Sequence, residues 1–111
     1  MPPRRSAAHA MAYVTAPDLD TARSIAQTVV GRRLAACANL WPIESMYWWR
    51  GTLENAREVV IVFKTRRALL WKLIATVREK HPYEVPCIVS YPMGPALREY
   101  LDWIDEETSQ R

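Results

Sequence analysis

The sequence predicts an α+β fold: a split β-α-β sandwich, with an extended β-hairpin and a C-terminal helix added to it. Three observations carry that prediction. Apolar residues recur at helical spacing within 22–30, 69–77 and 97–104. Four stretches rich in β-branched and aromatic residues precede or separate them. The order of the two periods is β-α-β-β-α-β followed by a last helix, the pattern of helices packed on an antiparallel sheet.

AMAYVTA, residues 10–16, is short and apolar, is closed by Pro17, and reads as the first strand. Asp18 stands where a helix N-cap belongs. Ala22, Ile25, Ala26, Val29 and Val30 then make one stripe of a helix that Gly31 is placed to end. In LAACANLWPIESMYWWRG, residues 34–51, Ile43, Ser45, Tyr47 and Trp49 alternate with Glu44, Met46, Trp48 and Arg50 at strand period. Pro42 cannot donate to a ladder, so the segment reads as a long edge strand, bent or bulged at that proline.

After a turn-prone stretch, residues 51–55, EVVIVFKT (58–65) reads as a buried central strand and completes a hairpin. Thr65 is placed to cap a second helix with Leu69, Leu70, Leu73, Ile74 and Val77 inward, ended by His81-Pro82. CIVSYP, residues 87–92, supplies a fourth strand. Gly94-Pro95 opens a third helix, with Leu97, Tyr100, Leu101 and Ile104 repeating the spacing. This is the ferredoxin-like arrangement, with helices on one sheet face and the other face uncovered. That face, and an edge carrying Trp41, Met46, Trp48 and Trp49, exceed the apolar surface that a soluble monomer exposes, so self-association is expected.

The 111 residues suit one domain, expected at 10–111 behind a loosely held tail, residues 1–9. Half the residues are hydrophobic and 24% charged, which excludes disordered and fibrous classes. Arg4 and Arg5 supply two of the three net positive charges, leaving no basic patch for nucleic acid. EVVIVFKT also lacks the aromatic signature of an RNA-recognition strand. No apolar run is long enough for an export signal or a membrane span. Cys37 and Cys87 are the only cysteines. Their strand-like apolar settings point to buried thiols in a reducing cytoplasm.

HPYEVPC, residues 81–87, gathers His81, Glu84 and Cys87 between two prolines. Extended at about 3.3 Å per residue, it separates His81 from Cys87 by roughly 20 Å and turns Glu84 away from both. One ion cannot join the three within this stretch. A closed zinc site needs four Cys or His ligands, and the chain has two of each, with His9 near the start. Two thiols and an imidazole suit a softer ion such as Cu(I), provided that a neighbouring strand or subunit completes the set. Structural roles stand beside these: His81 as a helix C-terminal residue, Cys37 as a small buried hydrophobe, Glu84 as a salt-bridge partner, the tryptophans as packing. No G-x-S-x-G turn, phosphate loop, metalloprotease helix motif or carboxylate pair suggests an enzyme.

LAACANLWPIESMYWWRG, EVVIVFKT, HPYEVP and YLDWI, in that order and spacing, resemble the CutA family of divalent-cation tolerance proteins over roughly residues 11–107. The resemblance implies a ferredoxin-like subunit in a tight homotrimer, a cytoplasmic location, and a non-enzymatic link to copper and other divalent cations. Cys37 and His81 match the family's pattern and are the metal ligands it implies. Cys87 stands where many members carry a carboxylate, and Val14 where some bacterial members carry a cysteine, so Cys87 offers sulfur in place of a lost oxygen. Lys64, Tyr83 and Trp49 are expected to border the intersubunit clefts with His81 and Cys37. The alternative is a trimeric signalling protein with a small anion or metabolite in those clefts, held by Lys64, Trp49 and Tyr83.

Overall fold

The sheet is built outward from a central pair of strands in the computed structural model, which describes residues 8–109. The elements are β1 (His9–Ala16), α1 (Leu19–Gly31), β2 (Cys37–Trp49), β3 (Thr52–Arg66), a 3-10 turn (Arg67–Leu69), α2 (Leu70–Lys80), β4 (Ile88–Pro92) and α3 (Arg98–Ser109). All pairings are antiparallel in the order β2-β3-β1-β4. The predicted α+β, ferredoxin-like topology is therefore present. Residues 1–7 of the expected tail lie outside the described residues, and His9, expected in that tail, opens β1 and is buried.

Strand alternation sorts the sheet into two faces. Ala12, Val14 and Ala16 stand opposite Phe63, Ile61 and Val59 on the covered face. They pack against Ala22, Ile25, Ala26 and Val29 of α1 and Leu73 and Val77 of α2. Asp18 caps α1 as predicted: its Oδ1 accepts the Thr21 N–H at 2.7 Å, which lowers the carboxyl's pKa.

Several boundaries differ from the sequence reading, each for a local reason. α1 does end at Gly31 as predicted, but the left-handed residue of its C-terminal turn is Arg33, at φ 62°. Its N–H donates to Val30 O and that of Leu34 to Val29 O, both at 3.0 Å, the paired bonds of a Schellman motif. Arg33 tolerates the conformation while its guanidinium is bonded to Glu107 Oε1 at 2.7 Å. No bulge interrupts β2, because the register with β3 runs unbroken from Cys37↔Lys64 through Pro42↔Val59 to Trp49↔Thr52. An edge strand turns alternate N–H groups away from its neighbour, and a proline there removes no ladder bond.

The hairpin turn is only Arg50 and Gly51, at φ 49° and 81°, the two left-handed residues of a type I′ turn. The polar residues after it belong to β3. Thr65 is not a cap; it ends fully buried in β3 with its hydroxyl donating to Leu34 O at 2.7 Å. Gly94-Pro95 precedes α3 by three residues instead of opening it.

The largest correction concerns α3, which does not join α1 and α2. His9, Cys37 and Arg66 lie on the opposite face from Phe63 by alternation. These are the residues α3 touches, through Asp105, Tyr100 and Thr108. The second face is thus capped at one end and open over the rest.

Phe63 is the largest fully buried side chain. Phe63→Ala is expected to lower unfolding stability by about 3–5 kcal/mol in urea titration, with the helical signal at zero denaturant unchanged.

Candidate functional site

The open face is bounded at one end by the hairpin and at the other by α3, and the two ends carry different chemistry. Toward the hairpin a groove of about 940 Å³ lies between β2, β3 and the segment after α2. Tyr13, Thr15 and Glu58 form its floor, the aromatic Tyr47, Trp48 and Trp49 one side, and Tyr83, Glu84 and Cys87 the other.

His81 builds this geometry. Pro82 forbids a further helical residue, so His81 leaves α2 extended at φ −82°, ψ 133°. Its Nε2–H donates to Thr15 O at 2.7 Å, and its Nδ1 accepts the Tyr83 N–H at 3.1 Å. A carbonyl only accepts and an N–H only donates, so the ring carries its proton on Nε2. The imidazole leans on Tyr83 at 4.8 Å between ring centres. Tyr83 in turn donates its hydroxyl to Glu58 Oε2 at 3.0 Å. At the rim Arg50 pairs with Glu84 at 2.5 Å while lying 5.1 Å above the Trp49 ring, so the strained turn is tied to the segment after α2.

Burial, then the Glu58 hydrogen bond, pushes the Tyr83 phenol far above its ordinary value. Tyr13 is raised chiefly by burial. Cys87 is exposed as a residue, correcting the expectation of a buried thiol. Desolvation in the groove nevertheless raises its thiol's pKa, offset in part by a hydrogen bond with Thr15.

At the α3 end Cys37 is half-buried, with its Sγ 3.5 Å from the Tyr100 hydroxyl. Burial and that contact push Tyr100 up to about 12. Lys64, the register partner of Cys37, donates its amine to Asn39 Oδ1. Six strand positions separate Lys64 from Glu58, about 20 Å along β3.

The residues singled out in the sequence therefore fall into two groups. Trp49, Tyr83 and Cys87 line the groove, and His81 braces it from beneath; Cys37 and Lys64 stand at the far end. Among the described residues no three His, Cys, Asp or Glu side chains converge to hold a metal ion. Both His81 nitrogens already have partners, so the donor set of one chain does not fit a metal. Sequence reasoning missed Glu58, Tyr47 and Tyr100. For Glu58 a signal existed, since it is the one acid opening an apolar run.

The model of the family described as CutA1 divalent ion tolerance protein matches residues 10–107. The chain belongs to the CutA1 family. A divalent-cation tolerance protein CutA from Archaeoglobus fulgidus is 42% identical over 98 residues, which cover 88% of this CutA1 chain and 96% of that protein. The structure of that organism's periplasmic divalent cation tolerance protein CutA superposes with a TM-score of 0.89 at 40% identity, covering 91% of this chain and 99% of the other. The Thermus thermophilus Cut A1 structure gives 0.87 at 39%, with coverage of 91% and 99%. Human protein CutA is 42% identical over 98 residues, 87% of this chain and 55% of that protein.

The raised Tyr83 value has a definite sign for stability. The neutral phenol's contribution is complete below the unfolded value near 10 and is lost as pH climbs through the higher folded value. Alkaline ultraviolet titration is expected to show three late-ionising phenols, of which the last, above those of Tyr13 and Tyr100, is lost in Tyr83→Phe.

Proposed function

We propose that this CutA1 chain is a cytoplasmic homotrimer that holds copper, or another divalent cation, transiently where subunits meet, and serves metal tolerance as a binding protein and not as an enzyme. One observation carries this reading: the two thiols stand at opposite ends of one open sheet face, each with too few donors to hold an ion alone. A junction that sets the Cys37 end of one copy against the Cys87 end of another supplies two soft donors, enough for Cu(I). His81 supports such a site by fixing Tyr83 and the segment leading to Cys87, and joins the ion only by releasing one of its two bonds. Lys64, Tyr83 and Trp49 border the same junction.

Association is supported by the edge. Met46 and Trp48 are 66% and 72% exposed, and Trp41 and Leu53 extend the apolar strip. Free thiols support a reducing compartment. The groove's aromatic walls also favour the alternative of a trimer that binds a small molecule. Glu44, Glu54, Glu58 and Glu84 line it while Lys64 does not, which favours a cationic ligand over an anion.

Competition against a Cu(I) chelator tests the metal reading. Cys37→Ala and Cys87→Ala are each expected to weaken copper binding by about tenfold or more, with wild-type affinity rising with pH because the Cys87 proton must leave. Affinity unchanged in the double variant counts against it. Trp48→Glu is expected to elute as a smaller species in sizing chromatography while keeping its circular dichroism spectrum.

A further inference from the structure

Charge on the open face is segregated along a single strand. By register, β3 places Glu54 and Glu58 there toward the hairpin and Lys64 and Arg66 toward α3, with Val60 and Val62 between. The open-face positions of β1, β2 and β4 hold no Asp, Glu, Lys or Arg. Glu58 is only 6% exposed, its one hydrogen-bond partner is Tyr83, and among the described residues no cation lies within ion-pair distance. A carboxylate so far removed from water gains strongly from a positive group set beside it. Lys64 has the converse lack. Its amine meets the neutral Asn39 and no carboxylate among the described residues, and has N–H groups to spare. Arg66 is already committed to Thr108 through two nitrogens. Glu58 and Lys64 cannot reach each other within one chain, being about 20 Å apart on a rigid strand.

We infer that Glu58 is neutralised by Lys64 of the partner subunit, so that the Tyr83 groove of each copy is completed by the basic end of the next. A face acidic at one end and basic at the other suits head-to-tail contact, in which each subunit offers two different patches and the ring closes. Because Cys37 is the register partner of Lys64, and Cys87 shares the groove with Glu58, the same docking carries the thiol of one copy toward that of another. The inference rests on the proposed assembly and adds the contact that sets its register.

The test is a double-mutant cycle on full-length protein, with Glu58→Gln, Lys64→Met and their combination, read as the subunit dissociation constant by analytical ultracentrifugation. Glutamine keeps an acceptor for Tyr83, and Lys64→Met removes a partly exposed amine, so that variant folds even if the other does not. Each single change is expected to weaken association by about tenfold or more, with the double variant no weaker than the worse single one. Additive losses in the double variant, or association unmoved by Lys64→Met, overturn the pairing while leaving the trimer standing. A wild-type protein that sediments as one subunit at micromolar concentration overturns the assembly itself.

Discussion

A strand can turn only alternate side chains to one face, and β3 uses that constraint twice. Val59, Ile61 and Phe63 face the helices and make the core; Glu58, Val60 and Lys64 face the other way and mark out the open surface. A slip of one residue in register would exchange the two sets, burying charge under α1 and presenting the core to water. β1 alone pairs with both β3 and β4, so it transmits the same register across the sheet. The groove, the position of α3 and the separation of the two thiols all follow from that phase.

Around this rigid sheet, single residues hold the irregular segments. His81 links the exit of α2 to the end of β1 with one ring nitrogen and to Tyr83 with the other. Arg50, strained at φ 49°, links the hairpin tip to Glu84. Arg33, also left-handed, links the end of α1 to α3 through Glu107. Two of the three are cationic side chains at positions that glycine would occupy more easily. Each makes an ion pair that a glycine lacks, which offsets a backbone cost of about 1–2 kcal/mol.

Coordination chemistry limits what one subunit does with a metal. The imidazole that sequence suggests as a ligand is committed to backbone groups, and the two thiols stand apart at the ends of one face. Beside them the chain carries an exposed tryptophan-bearing edge and a buried Glu58 carboxylate with no cation within ion-pair distance among the described residues, the two features on which the proposed association rests.

Periodicity was enough to read the four strands and the three helices from sequence, because period two and period 3.6 are local properties of the chain, and the Asp18 cap was legible from its residue type alone. The apolar edge at Met46 and Trp48 was legible for the same reason. Thr65 misled because a hydroxyl beside a helix looks the same whether it caps that helix or is buried in a strand, and only the nearby Leu34 carbonyl settles which. Gly94-Pro95 misled because a turn signal does not fix how many residues later the helix begins, here at Arg98. Sequence by itself determined which residues alternate and therefore which share a face. Tertiary structure alone decided which face α3 covers, what His81 bonds to, and that Glu58 lies buried with no counter-charge among the described residues, since these depend on contacts between segments far apart in the chain.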